Sequence, residues 1–252
     1  MSPRLRLALF SVAALGLACA FGVAFAGIPH FGAPISTYAS ILNHLSVPAR
    51  RASDVVSAIS FDFRGVDTMF EEYILFAAVA GISVLLRPLG DEARRLPEEE
   101  APDRRIPPPS PAVGLLAVTM APVLVVAGLE TVTHGQISPG GGFQGGVVLA
   151  TALFVVYLAT TYSRVERFEA GSLVEASEGA GAGGYVVVGL IGLIAGSAFL
   201  TNVVGLGHSG NLISGGTLPI INAVVGLEVA GGFVLLVKEF LDQTEVIRGF
   251  GG

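Results

Sequence analysis

The sequence predicts an all-α integral membrane protein with about six transmembrane helices. Of its 252 residues, 52% are hydrophobic and only 13% are charged, and the mean hydropathy is +0.72. The apolar residues fall into runs of about 20, which is the length an α-helix needs to cross a bilayer core of about 30 Å. Charges are confined to a few segments between these runs. The net charge of −6 therefore points to no acidic or basic partner, and nothing indicates a nucleic-acid partner.

Six apolar runs define the predicted spans. They are Leu5–Gly27, Met69–Leu86, Ala112–Thr133, Gly142–Tyr162, Gly184–Val204 and Pro219–Phe240. The first has an alternative, a cleaved secretory signal, because Arg4 and Arg6 precede it and Ala-Phe-Ala stands before Gly27. Its apolar run exceeds the roughly 7–15 residues of a typical signal, so we expect a retained helix.

The basic residues predict the orientation of the spans. Lys and Arg accumulate on the cytoplasmic side of membrane proteins. With the N-terminus inside, eleven basic residues lie on the inner side and only three on the outer side, namely Arg50, Arg51 and Arg64. This asymmetry predicts a multi-pass protein of the cell membrane with both termini in the cytoplasm, and it places the segment Gly135–Gly146 outside.

A charged, Pro-rich segment at residues 91–111 predicts a cytoplasmic linker, because its composition cannot form a packed core. It separates a two-helix unit, residues 1–90, from a four-helix unit, residues 112–252. A second polar segment, Glu178–Gly184, is expected only to let the fifth span begin. The single cysteine, Cys19, excludes an intramolecular disulfide and a cysteine-based metal cluster. No cofactor is expected.

Before the second span, residues Ser53–Phe63 place apolar side chains at helical spacing, which predicts a short amphipathic helix. Asp67 or Thr68 is expected to cap the following span. Glu71 and Glu72 come next. One interpretation is that they only stabilise the helix N-terminus; the other is that they collect cations or protons at the membrane edge.

Ionisable residues within spans are costly and therefore indicate function. Glu228 lies about ten residues into the last span. It could relay protons or cations, or it could only hydrogen-bond two helices together. Glu130 precedes His134 by four residues, so the two share a helix face and could form a pair. That pair is either a hydrated rim contact or a secondary relay.

The segment Gly135–Gly146 combines six glycines and one proline with almost no charge, which disfavours an ordinary helix. It indicates backbone that approaches another group closely, and we favour tight packing over direct contact with an ion. A second outer loop, Asn202–Thr217, could fold beside it and satisfy its backbone. A metal site is not expected, because the four histidines show no ligand spacing, and His30 and His44 are expected to be solvated loop residues.

The segment His134–Ala150 resembles the signature of the MnhB (MrpB) family, whose members are the B-type subunits of multisubunit Na+/H+ antiporters. Residues 214–219, followed by Asn222, Gly226 and Glu228, resemble the last-span motif of that family. The resemblance covers about residues 111–241. Glu130 stands where the family is expected to have an apolar residue, so no role is carried over to it. The signature positions form the expected packing loop: Pro139, Gly140, Gly141, Gly142, Phe143, Gln144, Gly145 and Gly146.

The N-terminal unit resembles a different protein. Asp62–Thr68 with Glu71 or Glu72 is similar to the C-terminal end of the A-type antiporter subunit. The same segment is a separate small protein in membrane-bound hydrogenases. The family carries a single Glu after Asp-Thr, so which of the two acids corresponds to it stays open. The resemblance implies that the chain fuses this segment to the MnhB-like unit, with residues 91–111 as the joint.

Together these resemblances imply a non-catalytic subunit, not an enzyme, of an antiporter that exchanges Na+ or K+ for protons. Its partners would be other antiporter subunits and the lipid bilayer. The expected ion-path residues are Asp67, Glu71, Glu72 and Glu228, with Glu130 and His134 as secondary candidates. One alternative is the membrane module of a hydrogenase-like or complex I-like redox-driven ion pump. Another is a purely structural scaffold.

Overall fold

A computed structural model of the chain describes residues 3–28, 36–86, 110–159, 171–196 and 198–249. All regular structure within these ranges is helical. The elements, in chain order, are α1 (Pro3–Ala26), α2 (Thr37–Arg50), α3 (Val55–Ala58), a π-helical turn (Ile59–Phe63), α4 (Gly65–Leu86), α5 (Pro111–Thr133), α6 (Gly142–Ala159), α7 (Gly171–Gly196) and α8 (Leu218–Gly249).

Five of the described helices are long and apolar enough to cross a membrane: α1, α4, α5, α7 and α8. The prediction of a helical multi-pass membrane protein is therefore confirmed, but the number six is not. The apolar part of α6 covers only Gly142–Tyr157. The remainder of the predicted span, up to Tyr162, extends beyond the described residues.

The predicted boundaries of the fifth span are wrong. Helix α7 covers Gly171–Gly196, so Glu178–Gly184 lies inside the helix and does not precede it. The glycines allow close packing: a Cβ on Gly181 would lie 2.5 Å from the Cβ of Glu228 on α8. Tertiary contact of this kind outweighs the low helix propensity of glycine. The helix ends at Gly196, before a turn in which Leu200 has a φ of 61°.

The segment between α1 and α4 is more helical than expected. His44 lies exposed in α2 and not in a loop, while His30 falls outside the described residues. The amphipathic helix expected at residues 53–63 is present as α3 and the π-helical turn. Asp54 caps α3, accepting hydrogen bonds from the amides of Val56 (3.1 Å) and Ser57 (3.4 Å). Burial raises the pKa of the Asp54 carboxyl, and these two hydrogen bonds partly oppose the rise.

The start of α4 also differs from the prediction. The helix begins at Gly65, because the π-helical turn leads almost directly into it, so Asp67 and Thr68 lie in its first turn and do not cap it. Asp67 is about half exposed and pairs with Arg64, with 2.5 Å between Oδ2 and Nη2. An acidic side chain in the first turn is favourable beside the positive end of the helix dipole.

Helix α8 is the centre of the larger packed unit, Leu42–Gly252, and contacts α4, α5, α6 and α7. The smaller unit, Met1–Ile41, contains α1. Residues 91–109 of the predicted linker lie outside the described residues, so the division predicted at residues 91–111 stays a prediction. Helix α4 joins the C-terminal helices through Tyr73, whose hydroxyl donates to the Ala182 carbonyl at 3.2 Å. The hydroxyl of Tyr185 donates back to the Gly65 carbonyl at 2.9 Å.

Candidate functional site

The two adjacent acids of α4 have opposite environments. Glu72 is only 4% exposed, whereas Glu71 is exposed. Consecutive residues of an α-helix point about 100° apart, so a helix packed on one side buries one of such a pair. Atom Oε2 of Glu72 has no hydrogen-bond partner among the described residues. Of the two carboxylates that the sequence leaves open, Glu72 is the one inside the protein.

Glu228 of α8 is buried more deeply, at 1% exposure. Neither of its carboxyl oxygens has a hydrogen-bond partner in the described part of the chain. Gly181 of α7 packs directly against Glu228, so closely that position 181 has no space for a larger residue. Glu72 projects from α4 and Glu228 from α8, and these two helices pack against each other. The structure thus buries two of the four predicted ion-path residues between packed helices, whereas Asp67 and Glu71 are exposed on α4.

Unpartnered buried carboxylates are rare because their burial is expensive. An isolated ionised group inside an apolar environment costs on the order of several kcal/mol or more. The cost falls if the carboxyl takes up a proton, or if a cation or water reaches it. No group of three His, Cys, Asp or Glu side chains in the described ranges converges closely enough to hold a metal ion. The arrangement fits exchangeable protons or monovalent cations better than a chelated metal.

The segment that follows α5 folds tightly upon itself before α6 begins. A Cβ on Gly135 would lie 2.7 Å from the Cα of Gly141. Gly140 and Gly141 adopt φ values of 143° and 132°, which favour glycine. The first amide of α6, Gly142 N, donates to Asn222 Oδ1 at 2.8 Å. A side chain of α8 therefore satisfies a helix N-terminus that would otherwise be buried without a partner.

The loop 202–217 and the segment 135–146 do meet, through the buried side chain of Gln136. Gln136 is fully buried, and its Nε2 donates to the Leu212 carbonyl at 2.6 Å and to the Thr133 carbonyl at 3.2 Å. The loop 202–217 thus contacts the segment 135–146, as the sequence suggests. The loop contributes the Leu212 carbonyl, which accepts from the Gln136 side chain. The Gly142 amide, in contrast, donates to Asn222 of α8 and not to this loop.

Small residues let α6 approach both of its neighbours. A Cβ on Gly145 would lie 2.7 Å from the Gly128 carbonyl of α5, and a Cβ on Gly146 would lie 2.8 Å from the Gly226 carbonyl of α8. Such close backbone contact is typical of helix packing in membranes. Pro139, Phe143 and Gln144 are instead exposed. The segment therefore has one face buried against the protein and one face open to lipid or another protein.

Glu130 and His134 form the predicted pair at the end of α5. Oε1 of Glu130 lies 3.6 Å from Nδ1 of His134, and the Glu130 side chain is more than half exposed. The same ring nitrogen lies 3.0 Å from the Glu130 carbonyl oxygen. An exposed contact of this kind contributes little to stability. It resembles a rim pair more than a buried relay.

One buried acid is not found by reasoning from the sequence. Glu178 of α7 is 7% exposed, and its Oε1 has no hydrogen-bond partner among the described residues. The four glycines that follow it place it, by sequence alone, in a polar segment before the fifth span. A signal for the helix is nevertheless present, since small residues at short spacing also occur within packed membrane helices.

The MnhB family model, described as a domain related to the MnhB subunit of Na+/H+ antiporter, matches residues 112–235. These residues contain α5, α6, α7 and the buried part of α8, including Asn222 and Glu228. Residues 112–235 belong to the MnhB family. The family resemblance drawn from the sequence is therefore confirmed for this part of the chain.

Other proteins resemble a larger part of the chain. An uncharacterized protein of Methanocaldococcus jannaschii is 29% identical over 205 residues, which is 76% of each chain. A chain of the membrane-bound sulfane sulfur reductase, an archaeal respiratory membrane complex, matches with a TM-score of 0.69 and 29% identity, covering 95% of this chain and 99% of its own. A chain of the Mrp complex from Dietzia sp. DQ12-45-1b matches with a TM-score of 0.71 and 22% identity over 95% of this chain. That chain is longer, since only 26% of it is covered, and at this identity the likeness shows the fold alone.

Proposed function

We propose that the chain is a non-enzymatic membrane component of a multisubunit antiporter that exchanges Na+ or K+ for protons. The observation that carries this proposal is the pair of buried carboxylates, Glu72 and Glu228, contributed by separate helices and lacking hydrogen-bond partners for three of their oxygens among the described residues. The MnhB family match of residues 112–235 and the likeness to chains of large membrane complexes support it. The chain packs against partner subunits and lines part of the ion path.

The two acids suit such a path because their charges repel each other. A proton or a monovalent cation on one carboxylate relieves the repulsion, and its departure restores it. The two ions therefore compete for the same pair, which is the elementary requirement for exchange. The chain contains a single lysine, Lys238, so the lysine-containing proton channel of such antiporters must lie in partner subunits.

Two further proposals concern the origin and placement of the chain. Residues 1–90 correspond to the end of the A-type antiporter subunit, here fused to the MnhB-like unit. This is supported by the resemblance of Asp62–Thr68, with Glu71 or Glu72, to the C-terminal end of that subunit. The chain lies in the cell membrane with both termini in the cytoplasm, as the distribution of its basic residues indicates.

A second candidate function is a role in the membrane part of a redox-driven ion pump. It is favoured by the sulfane sulfur reductase chain, which matches nearly the full length of both chains at 29% identity. In that case the same acids would move ions, while the redox centres would lie on other subunits. Ion movement would then require an electron donor.

The test uses everted membrane vesicles that contain the whole complex, in which addition of Na+ or K+ should release protons from the lumen without an electron donor. We expect Glu72→Gln and Glu228→Gln to lower the exchange rate at least about tenfold at equal complex yield, because the amide can hold neither a proton nor a cation in the same way. The matched control is Glu71→Gln, the exposed neighbour, which should exchange normally.

Normal exchange by both buried-acid variants would show that the path assignment is wrong. Exchange that appears only when an electron donor is supplied would favour the redox-driven alternative. Variants that exchange normally but lower complex yield would indicate a structural scaffold.

A further inference from the structure

A third carboxylate, that of Glu178, also lies where α4, α7 and α8 pack together, and this contact region is called the seam below. Neither the folding contacts described above nor the proposed pair of acids involves it. It is more than nine-tenths buried, and its Oε1 has no hydrogen-bond partner among the described residues. A Cβ on Gly232 of α8 would lie 3.5 Å from that oxygen. The carboxyl therefore points towards α8, from which Glu228 also projects.

The contacts between α7 and α8 fix the spacing of these two acids. Gly181 of α7 packs on Glu228 of α8, whereas Glu178 lies beside Gly232. The two helices thus run in opposite directions, and three to four residues along either one leads from one acid to the other. One helical turn rises about 5.4 Å. Glu178 and Glu228 are accordingly about one turn apart in depth.

Helix α4 runs along the same seam. Next to Glu72, the Tyr73 hydroxyl donates to the Ala182 carbonyl of α7 at 3.2 Å. Two turns later, Val79 lies 3.4 Å from the position that a Cβ on Gly232 would occupy. The order along the seam is therefore Glu72, Glu228 and Glu178. Gly181 lets the backbones of α7 and α8 approach each other closely, and Oε1 of Glu178 lies beside Gly232.

We infer that Glu178 is a third ion-holding residue, which extends the path from Glu72 and Glu228 by one helical turn. The inference rests on the proposed function. Since no three acidic, imidazole or thiol side chains converge in the described residues, the acids form successive positions and not one chelating site. A proton or a monovalent cation moves from one carboxylate to the next. Glu175 is an exposed acid one turn before Glu178 on α7.

The first test compares Glu178→Gln with Glu175→Gln in the exchange assay on vesicles containing the whole complex. Gln matches the shape of Glu but cannot pass a proton or bind a cation as a carboxylate does. We expect Glu178→Gln to lose at least about tenfold in exchange rate and Glu175→Gln to retain it. Glu178→Asp should recover part of the rate because the carboxylate is retained. A merely structural role predicts the reverse order, with Gln tolerated better than the shorter Asp.

The second test reads binding instead of transport. A hydrophobic carbodiimide, which reacts with protonated carboxyls in apolar surroundings, is added to the purified complex at increasing NaCl or KCl concentrations. Mass spectrometry then follows labelling at Glu72, Glu178 and Glu228. We expect Na+ or K+ to lower labelling at all three acids, with choline chloride as the control. In the Glu178→Gln complex, protection of Glu228 should require a several-fold different cation concentration.

The outcomes separate the two proposals. If Glu228→Gln abolishes exchange while Glu178→Gln exchanges normally and cations leave the labelling of Glu178 unchanged, the third position is overturned and the pair stands. If neither transport nor labelling responds at any of the three acids, the proposed function itself fails. Loss of exchange in Glu178→Gln together with cation protection of Glu178 supports the extended path.

Discussion

Asn222 connects three parts of the protein, and its replacement by Ala should weaken all three connections. The side chain is fully buried. Its Oδ1 accepts from Gly142 N at 2.8 Å, and its Nδ2 donates to Ser57 Oγ at 3.2 Å and to the Leu218 carbonyl at 3.0 Å. Asn222→Ala removes these bonds and leaves the amide that opens α6 without an acceptor.

The expected cost follows from these contacts. Leaving one buried donor unsatisfied costs about 1–3 kcal/mol, and the lost bond to Ser57 adds about 1 kcal/mol. A total of about 2–4 kcal/mol would lower the melting temperature by roughly 4–16 °C for a chain of this size. Ser57→Ala is the graded control: it removes only the bond to Asn222, so it should lower the melting temperature by roughly 2–4 °C.

Thermal unfolding of the purified complex in detergent, followed by the loss of monodisperse protein, measures both variants. Ion exchange in vesicles is measured in parallel at a temperature well below both transitions. The reasoning is refuted if Asn222→Ala melts within error of Ser57→Ala, because the buried Gly142 amide would then have found another acceptor at no cost.

Three further predictions concern other contacts. Gly146→Ala should destabilise the complex by about 1–3 kcal/mol, because its Cβ would lie 2.8 Å from the Gly226 carbonyl. Gly179→Ala, whose Cβ would have nothing within 4 Å, should not destabilise it. Equal yields and melting temperatures for the two variants would contradict this prediction. Asp54→Asn keeps an N-cap but cannot ionise. Burial raises the pKa of Asp54 in the folded state. The stability of the native chain should therefore fall as pH rises from about 4 to the raised pKa and stay constant above it, and the stability of the Asn variant should not fall in this way. Identical pH profiles of the melting temperature for the two proteins would argue against this prediction. Asn202→Ala should make the loop 198–217 more sensitive to protease. The native Asn202 side chain hydrogen-bonds to Asp62 (3.1 Å), the Gly215 carbonyl (2.8 Å) and the Thr217 amide (3.0 Å). His208→Ala, a change at an exposed residue of the same loop, should not alter cleavage, and unchanged cleavage rates in Asn202→Ala would disprove the role of this contact.

The sequence is informative wherever the bilayer alone dictates structure. A membrane core forces long apolar segments into helices, because every backbone polar group must be satisfied within the segment. The helices α4, α5 and α8 therefore begin within about four residues of their predicted positions. Between the spans this constraint is absent. Helix α2 is not among the predicted elements. The predicted cap of α4 is misplaced, because a π-helical turn leads into that helix earlier than expected.

Glycine is the residue whose effect is hardest to predict. The four glycines that follow Glu178 lower helix propensity, yet they lie inside α7. Their effect depends on which helix packs against them, and that is a tertiary contact between residues about fifty positions apart. The same applies to the choice between Glu71 and Glu72. Adjacent residues with identical side chains carry no sequence difference, and only the side on which α7 and α8 pack buries Glu72.

The amino-acid sequence is enough to predict that this chain is a helical membrane protein, that about residues 111–241 resemble the MnhB family, and that Glu228 lies within a span. Those properties depend on composition and local order, which each segment carries alone. The packing of the helices buries Glu72 and Glu228 and places Glu178 about one turn from Glu228. Burial and repulsion between carboxylates arise only when α4, α7 and α8 come together, so no local pattern could have specified them.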